Sequence, residues 1–247
     1  MEVPQSAPSI LVVGASGATG RRLVAHLLER GACVRVVVRA QTELPEQWQA
    51  HPNLSVTRAD LLALSDSELA QLVRGCGAVA SCLGHTLSWR GVYGAPRRLV
   101  TEATRRLCQA IEAQVPELPV KFVLMNSSGC RNRDLGERIS WPQSMVILLL
   151  RCLLPPHADN EQALEYLRTG IGARHRSLEW VAVRPDGLID AAQVTAYEAH
   201  PSPLRSAIFD AGKTSRTNVG HFMAQLITDE GTWQQWKHQM PVVYNVD

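Results

Sequence analysis

Short apolar runs alternate with amphipathic segments along most of the chain. The runs are rich in valine, isoleucine and leucine, and their length is typical of buried strands. They predict strands at 10–13, 34–38, 54–58, 77–83, 120–125, 178–183 and 241–245, with a further short strand at 206–209. Between them, apolar residues recur every three or four positions. This period predicts helices directly behind Gly20 and at 65–74, 97–113, 160–169 and 219–227, the last capped by Asn218.

Strands that alternate with helices predict a parallel sheet with right-handed crossovers. The predicted fold class is α/β, a Rossmann-type doubly wound, mainly parallel sheet with helices on both faces and strand order 3-2-1-4-5-6. We expect a single domain over 9–247, with small C-terminal segments on the substrate side, behind a loose, disordered tail at 1–8. Ligands of such sheets bind beyond the carboxyl ends of the strands, so the residues behind each strand are the candidate site.

The composition narrows the classes of function. The 247 residues are 45% hydrophobic and carry a formal net charge of +2, which gives no reason to expect nucleic acid, an acidic partner or a membrane surface. The arginines are spread along the chain rather than clustered as in a nucleic-acid-binding patch. The longest apolar stretch, 145–154, is interrupted by Arg151 and is too short to span a bilayer.

The cysteines give no sign of metal or disulfide chemistry. None of the six forms a C-x-x-C pair, and no histidine or cysteine pair has the spacing of metal ligands. Without a signal peptide, reduced thiols in a cytoplasmic protein are the simplest interpretation. Cys130 has no identifiable base beside it and is a poor candidate nucleophile. Monomer and homodimer both remain open.

The turn behind the first strand carries the strongest functional signal. Its glycines are spaced G-x-x-G-x-x-G between a strand and a helix. Glycines let the backbone approach a diphosphate, and the free N–H groups and dipole at the helix start favour its negative charge. The pattern predicts a dinucleotide site that includes Gly14, Ser16, Gly17, Ala18, Thr19 and Gly20. The alternative is a tight turn without a ligand, which would not need so many glycines.

Arg39, directly behind the second strand, indicates which dinucleotide is bound. Sites for NAD usually carry an acid here that accepts hydrogen bonds from the adenine ribose, and this chain has none. A guanidinium can instead bind a 2′-phosphate through charge-assisted hydrogen bonds. We therefore expect NADP(H), with Ser16 and Arg21 as candidate helpers. A solvated surface arginine is the alternative.

The ends of the third and fourth strands supply further candidates. Asp60 could accept a hydrogen bond from the adenine amino group while Leu61 packs on the ring, although an acid in a polar turn is nearly as good an interpretation. Leu83 and Gly84 would let the backbone pass near the cofactor riboses. His85 could face the substrate, although a single loop histidine is more often solvated.

The ends of the fifth and sixth strands point to the reactive end of a dinucleotide. Ser127 is expected beside the nicotinamide, although serines also cap turns. Arg184 and Pro185 belong to a predicted turn that could close over the nicotinamide carboxamide.

These motifs together resemble the atypical short-chain dehydrogenase/reductases, the NAD(P)H-binding group that includes NmrA-like proteins. The C-terminal part is most similar to the biliverdin and flavin reductases of that group. The matching residues are Asp159, Tyr166 to Arg168, Trp180 to Val183, Ser215-Arg216, Gly220 to Met223 and Thr228 to Glu230. The resemblance implies NADPH and a bulky planar acceptor, with Ser127 beside the nicotinamide and Asp159 near the acceptor as catalytic candidates.

The chain departs from typical short-chain dehydrogenases, which use a Tyr-x-x-x-Lys pair as acid or base. No such pair occurs, and Pro156 and Asn160 occupy the corresponding positions. Reduction of a ketone produces an alkoxide that needs a placed proton donor, whereas a reduced flavin, quinone or tetrapyrrole is a delocalised anion that solvent can protonate. The absence favours an NADPH-dependent reductase of a conjugated acceptor. The alternative is a non-catalytic NADP(H)-sensing protein of the NmrA-like kind.

Apolar and aromatic residues in the predicted loops could form the wall of an acceptor site. They are Trp89, Tyr93, Trp141, the run 145–156 and the segment 197–203. Flat aromatic side chains are suited to stacking on a planar ligand. A core helix or a partner-binding face is an equally good interpretation of 145–154.

Overall fold

The computed structural model describes residues 8–85, 89–137 and 141–246. Its strands are β1 (Ser9–Val13), β2 (Val34–Val38), β3 (Leu54–Arg58), β4 (Cys76–Ser81), β5 (Val120–Met125), β6 (Leu178–Pro185), β7 (Gly187–Ile189), β8 (Tyr197–His200), β9 (Lys213–Ser215) and β10 (Val242–Asn245). The main sheet has the order β3-β2-β1-β4-β5-β6-β10-β8. Only β8 is antiparallel to its neighbour in this sheet, and β7 pairs with β9 apart from it. The predicted Rossmann-type fold and strand order are confirmed.

Helices cover both faces of the sheet. They are α1 (Ala18–Glu29), α2 (Asp66–Val73), α3 (Trp89–Tyr93), α4 (Leu99–Ala113), α5 (Trp141–Leu153), α6 (Pro155–Glu165), α7 (Arg216–Thr228) and α8 (Glu230–Trp236), with a 3₁₀ turn at Glu46–Trp48 and a π-helical turn at Tyr166–Ile171 that continues α6. One apolar core joins the sheet to α2, α4 and α6, and a second joins it to α1, α7 and α8. This arrangement leaves the carboxyl ends of the parallel strands free to form a site.

Local sequence signals explain several element boundaries. β1 is buried at all five positions, as expected of a central parallel strand. The predicted cap of α2 is confirmed, because Ser65 and Glu68 form a capping box in which each side chain bonds the other's backbone N–H. The buried face of α4 includes Ala103, Leu107 and Ile111 as predicted.

Several local predictions are wrong. The predicted loop residues Trp89, Tyr93 and Trp141 and the run 145–153 lie in helices α3 and α5. Residues 206–209 form a turn rather than a strand, and the segment 197–203 begins with β8 rather than forming a loop. α7 is capped by Ser215, whose hydroxyl accepts the N–H of Asn218 at 3.0 Å, so Asn218 lies inside the helix. Its side chain bonds β10 and the loop before β8 instead, which are tertiary contacts that no local pattern encodes. The predicted tail lies outside the described residues, apart from Pro8.

Candidate functional site

A cavity of about 830 Å³ opens at the carboxyl ends of β1 to β4. It lies where the strand order reverses between β1 and β4, the usual dinucleotide position in doubly wound sheets. Eight of the predicted cofactor residues line it, namely Gly14, Ser16, Gly17, Arg39, Asp60, Leu61, Leu83 and Gly84. Ala18, Thr19 and Gly20 follow in the first turn of α1. The fold therefore brings most of the predicted site together.

Gly14, in the cavity lining, and Gly20, in the first turn of α1, have no room for a side chain. Gly14 has a φ of +73°, and a Cβ atom there would lie 2.5 Å from the carbonyl carbon of Cys82 and 2.7 Å from the nitrogen of Leu83. A Cβ atom on Gly20 would lie 2.2 Å from the Gly14 carbonyl oxygen. These close approaches hold β1, β4 and α1 together beside the cavity.

The start of α1 is built to receive an anion. Its N-cap, Gly17, provides no side-chain hydrogen bond, and no acidic residue occupies the first turn. The first N–H groups of a helix need acceptors, and its dipole adds partial positive charge at the same point. A diphosphate fits this cradle in both geometry and charge.

Arg39 lines the same cavity directly behind β2. Its exposed side chain forms no ion pair with any residue in the described part of the chain. Arg58 supports the following loop by donating to the carbonyls of Ala40 and Thr42 at 2.9 and 3.0 Å. Arg21, the predicted helper, donates to a carbonyl of this loop at 3.4 Å. The guanidinium of Arg39 therefore has no carboxylate partner among the described residues. The loop that follows it is held by hydrogen bonds from Arg58 and Arg21.

Asp60 and Leu61 line the cavity behind β3. One carboxylate oxygen of Asp60 accepts the N–H of Leu62 at 3.1 Å and closes the local turn. Leu61 is almost fully buried and belongs to the apolar core. Asp60 thus stabilises the turn behind β3, and it also lies in the lining where an adenine ring is expected.

Behind β4, His85 lines the cavity next to Gly84. Its Nε2 atom lies 2.8 Å from Oδ2 of Asp159 on α6. The same carboxylate accepts the N–H groups of Val100 and Thr101 at 2.8 and 2.9 Å, and so caps α4 from another helix. The Asp159 side chain is fully buried, so it can act on a ligand only through His85.

Ser127 lies behind β5, outside the lining of the large cavity. Its hydroxyl accepts the N–H of Gly129 at 3.2 Å. A Cβ atom on Gly129 would lie 3.6 Å from the Ser127 Oγ and 3.7 Å from Cε1 of His157, so hydroxyl and imidazole flank one point. Burial lowers the pKa of His157 despite the opposing Glu161 carboxylate, which keeps the imidazole neutral near pH 7.

Comparison with known proteins agrees with this geometry. The sequence matches the NAD(P)H-binding family over residues 14–230. The chain belongs to this family. An uncharacterized chloroplastic protein of Arabidopsis thaliana is 26% identical over 179 residues, which cover 72% of this chain and 59% of that protein. The chain therefore matches less than two thirds of the length of that relative.

Solved structures of other NAD(P)H-binding and reductase proteins share the fold. One is a wide-type short-chain dehydrogenase/reductase from Veillonella parvula in complex with NADP, with a TM-score of 0.66, 17% identity and coverage of 96% of this chain and 94% of that one. Another is ChuY, an anaerobillin reductase from Escherichia coli O157:H7, with a TM-score of 0.66, 19% identity and coverage of 97% and 98%. At these identities the likeness concerns the fold.

In this NAD(P)H-binding chain, Arg184 and Pro185 do not form the predicted turn, because they are the last residues of β6. The Arg184 side chain is fully buried and paired with Glu137 at 2.7 Å. It also donates to the carbonyls of Met240 and Cys130 at 2.6 and 2.9 Å. Its guanidinium is therefore unavailable to a cofactor. The carbonyl of Pro185 accepts the N–H of Ser128 at 3.0 Å. This bond holds the loop behind β5, residues 126–130, which we call the serine loop.

The described residues give no sign of other chemistry in this family member. Burial raises the pKa of the Cys130 thiol far above its ordinary value, so it is protonated and unreactive. No cluster of three or more histidine, cysteine, aspartate or glutamate side chains within the described ranges could hold a metal ion. Among the described helices, none has the length and apolarity needed to cross a membrane.

The predicted aromatic wall is divided by the fold. The Trp89 and Tyr93 rings pack on each other 4.8 Å apart on α3, and Trp89 is 81% exposed. Tyr197 instead donates to Gln225 of α7 at 2.7 Å. It therefore packs against that helix and forms no part of an acceptor wall. Among the α5 side chains that the structure describes, Ile147 is buried, whereas Trp141, Met145, Leu149 and Leu153 are exposed.

Proposed function

We propose that this chain is an NADPH-dependent oxidoreductase that transfers hydride to a conjugated planar acceptor such as a flavin, a quinone or a linear tetrapyrrole. The observation that carries the proposal is the single cavity that joins an uncapped helix start to the uncommitted Arg39. The helix start behind β1 and the guanidinium behind β2 would receive the diphosphate and the 2′-phosphate of one NADP(H) molecule. The NADP complex of a structural relative agrees with this choice.

The roles of the chain's own residues follow from their positions. The first turn of α1 would hold the diphosphate, and Leu61 and Asp60 would receive the adenine. Ser127 would orient the reacting rings at the end of β5. NADPH, when bound, supplies the hydride, and the protein supplies position and electrostatics.

The absence of a Tyr-x-x-x-Lys pair favours a conjugated acceptor. The buried carboxylate of Asp159 is already occupied by His85 and two backbone N–H groups, so it is not a free proton donor. A delocalised product anion needs no such donor, because solvent can protonate it. The reductase name of ChuY is consistent with an acceptor of this class.

The direct test is NADPH oxidation, followed by absorbance, with FMN, a quinone or biliverdin as acceptor. We expect turnover with at least one of them. Tight NADPH binding without turnover on any acceptor would reject the reductase and favour an NADP(H)-sensing protein.

Replacement of Arg39 by alanine should weaken NADPH binding by about tenfold or more, on the order of 1.4 kcal/mol. NADH binding should barely change, because NADH lacks the 2′-phosphate. Calorimetry with both coenzymes measures the difference. Arg174→Ala removes an equal charge before the amino end of β6 and is the control. Equal losses for NADPH and NADH would refute the phosphate assignment.

Replacement of Ser127 by alanine should slow hydride transfer by about tenfold, the value of one hydrogen bond that strengthens in the transition state. The Kd for NADPH should stay nearly unchanged, because Ser127 lies outside the lining of the large cavity. Single-turnover kinetics measures the step. Ser55→Ala, at an exposed position of β3, is the matched control. An unchanged single-turnover rate would remove Ser127 from the chemistry.

A further inference from the structure

A second cavity, of about 280 Å³, begins where the serine loop ends. It lies between the loop behind β5, helix α5 and the segment that follows β8. Its lining is Ser128, Gly129, Arg131, Glu137, Gln143, Ile147 and residues 202–207. Because Ser127 bonds Gly129, this cavity adjoins the point where hydride transfer is proposed.

We propose that this cavity receives the acceptor, and that Arg131 and Arg205 bind an anionic group, a carboxylate or a phosphate, carried on the acceptor's ring system. The proposal rests on the proposed reductase function and narrows its substrate class. Acceptors with a charged side arm would be preferred to neutral ones with the same ring.

The charge balance of the lining leaves both arginines available. The acid in the lining, Glu137, is neutralised by Arg184 at 2.7 and 3.0 Å and also accepts the N–H of Asn132 at 2.7 Å. Arg131 donates to the backbone carbonyl of Glu137, which orients it, and it has no carboxylate partner among the described residues. The cavity therefore carries uncompensated positive charge.

Arg205 contributes the second charge. The Oδ2 atom of Asp210 lies 3.6 Å from its Nε atom, and both side chains are about half exposed or more. Such an exposed pair contributes little, so an incoming anion can replace Asp210 at low cost. A guanidinium can also bind a carboxylate or a phosphate in a two-pronged geometry.

A neighbouring cavity strengthens the positive potential. It shares Arg131 with the acceptor cavity and is also lined by Arg133, Arg151 and Arg168, against two acids, Glu161 and Glu165. Each acid is bonded by its own arginine at 2.8 Å, and Arg133 has no carboxylate partner in the described part of the chain. Arg168 also pairs with Asp134, so this cavity adds mainly the charge of Arg133 to that of Arg131. A local excess of positive charge favours anionic ligands.

The remaining lining suits a flat ring edge. Ile147, Pro203, Leu204 and Ala207 supply apolar surface, and aromatic ligands gain affinity from such walls. The volume accommodates a ring edge with its side arm rather than a molecule as large as the cofactor. The geometry thus places a partly apolar wall beside two cations at one site.

The test compares acceptors that share a ring and differ only in the charged arm. The matched pairs are FMN with riboflavin, and biliverdin with its dimethyl ester, which separate phosphate from carboxylate recognition. NADPH is kept saturating so that the cofactor cavity is filled. In at least one pair, we expect the KM of the charged member to be lower than that of the neutral member by about tenfold or more, which is the effect of one charge-assisted hydrogen bond.

The arginines are then tested directly. In Arg131→Gln/Arg205→Gln, the ratio of KM values for the neutral and charged acceptors should fall toward one, while Arg174→Gln should keep the wild-type ratio. Equal KM values within both pairs for the wild-type protein would overturn the proposal. A ratio that falls equally in Arg174→Gln would also overturn it, because net charge alone would then explain the preference.

Binding separates this inference from the reductase proposal. If no acceptor oxidises NADPH, the reductase function fails, and quenching of flavin fluorescence in the presence of saturating NADP⁺ still compares FMN with riboflavin. Tighter binding of FMN that depends on Arg131 and Arg205 would support the anion site. Biliverdin and its dimethyl ester are compared in the same way by the change in their absorbance on binding. Equal binding within both pairs, or no binding of any of the four compounds, would reject the anion site.

Discussion

Replacement of Glu137 by alanine should lower the free energy of unfolding by about 3–5 kcal/mol, because it leaves Arg184 as an unpaired buried charge. The two side chains are 4% and 0% exposed in the folded protein, so the pair is shielded from bulk solvent. The N–H of Asn132 loses its acceptor in the same variant. Urea denaturation, read as a change of midpoint at constant slope, measures the loss.

The double variant Glu137→Leu/Arg184→Met separates pairing from cofactor binding. Buried ion pairs can often be replaced by apolar residues of similar volume without loss. This variant should therefore recover the part of the stability that the unpaired charge costs, but not the part due to the backbone groups that Glu137 and Arg184 bond. Its Kd for NADPH should remain near that of the wild type, because the Arg184 guanidinium bonds Glu137 and backbone carbonyls only. If a stable double variant bound NADPH much more weakly, this would contradict our interpretation and indicate that Arg184 does contribute to cofactor binding.

Replacement of Gly14 by alanine should abolish dinucleotide binding and lower the free energy of unfolding by more than about 2 kcal/mol. The new Cβ atom would meet the backbone of Cys82 at 2.5 Å, and backbone cannot rotate away as a side-chain end can. β1 and β4 would have to separate at the cavity floor. Calorimetry with NADPH and thermal unfolding measure the two effects.

Gly31→Ala is a close control for Gly14→Ala. Gly31 has a φ of +74°, almost that of Gly14, but a Cβ atom there would meet nothing within 4 Å. It should therefore show only the cost of a positive φ, roughly 1–2 kcal/mol, and should bind NADPH normally. Equal destabilisation in the two variants would show that the positive φ, rather than the close approach of the Cys82 backbone, explains why glycine is needed at position 14.

The local sequence pattern was sufficient to predict those parts of the candidate site that a single short segment forms. The glycine turn, the helix behind it and Arg39 at the next strand end are all encoded within short stretches. Their convergence in one cavity followed from the predicted strand order, since parallel strands place their carboxyl ends at the same edge. His157 and Arg205 were not singled out, because a single histidine or arginine in a helix or loop carries no motif.

Distant pairing decided the rest. Asp159 bonds the N–H of Val100, 59 positions away, and this contact makes a candidate catalytic acid the cap of another helix. Arg184 meets Glu137 across 47 positions, which turns a candidate cofactor ligand into part of the core.

The sequence by itself thus determined the Rossmann-type sheet, the order of its first six strands and the glycine-rich turn behind β1, because strand length, helix period and glycine geometry are local properties. Only the tertiary structure decided which polar side chains face a ligand and which satisfy buried groups of the protein. That choice depends on partners far apart in the chain, since a buried charge or N–H group is stable only where the fold brings its counterpart within hydrogen-bonding distance.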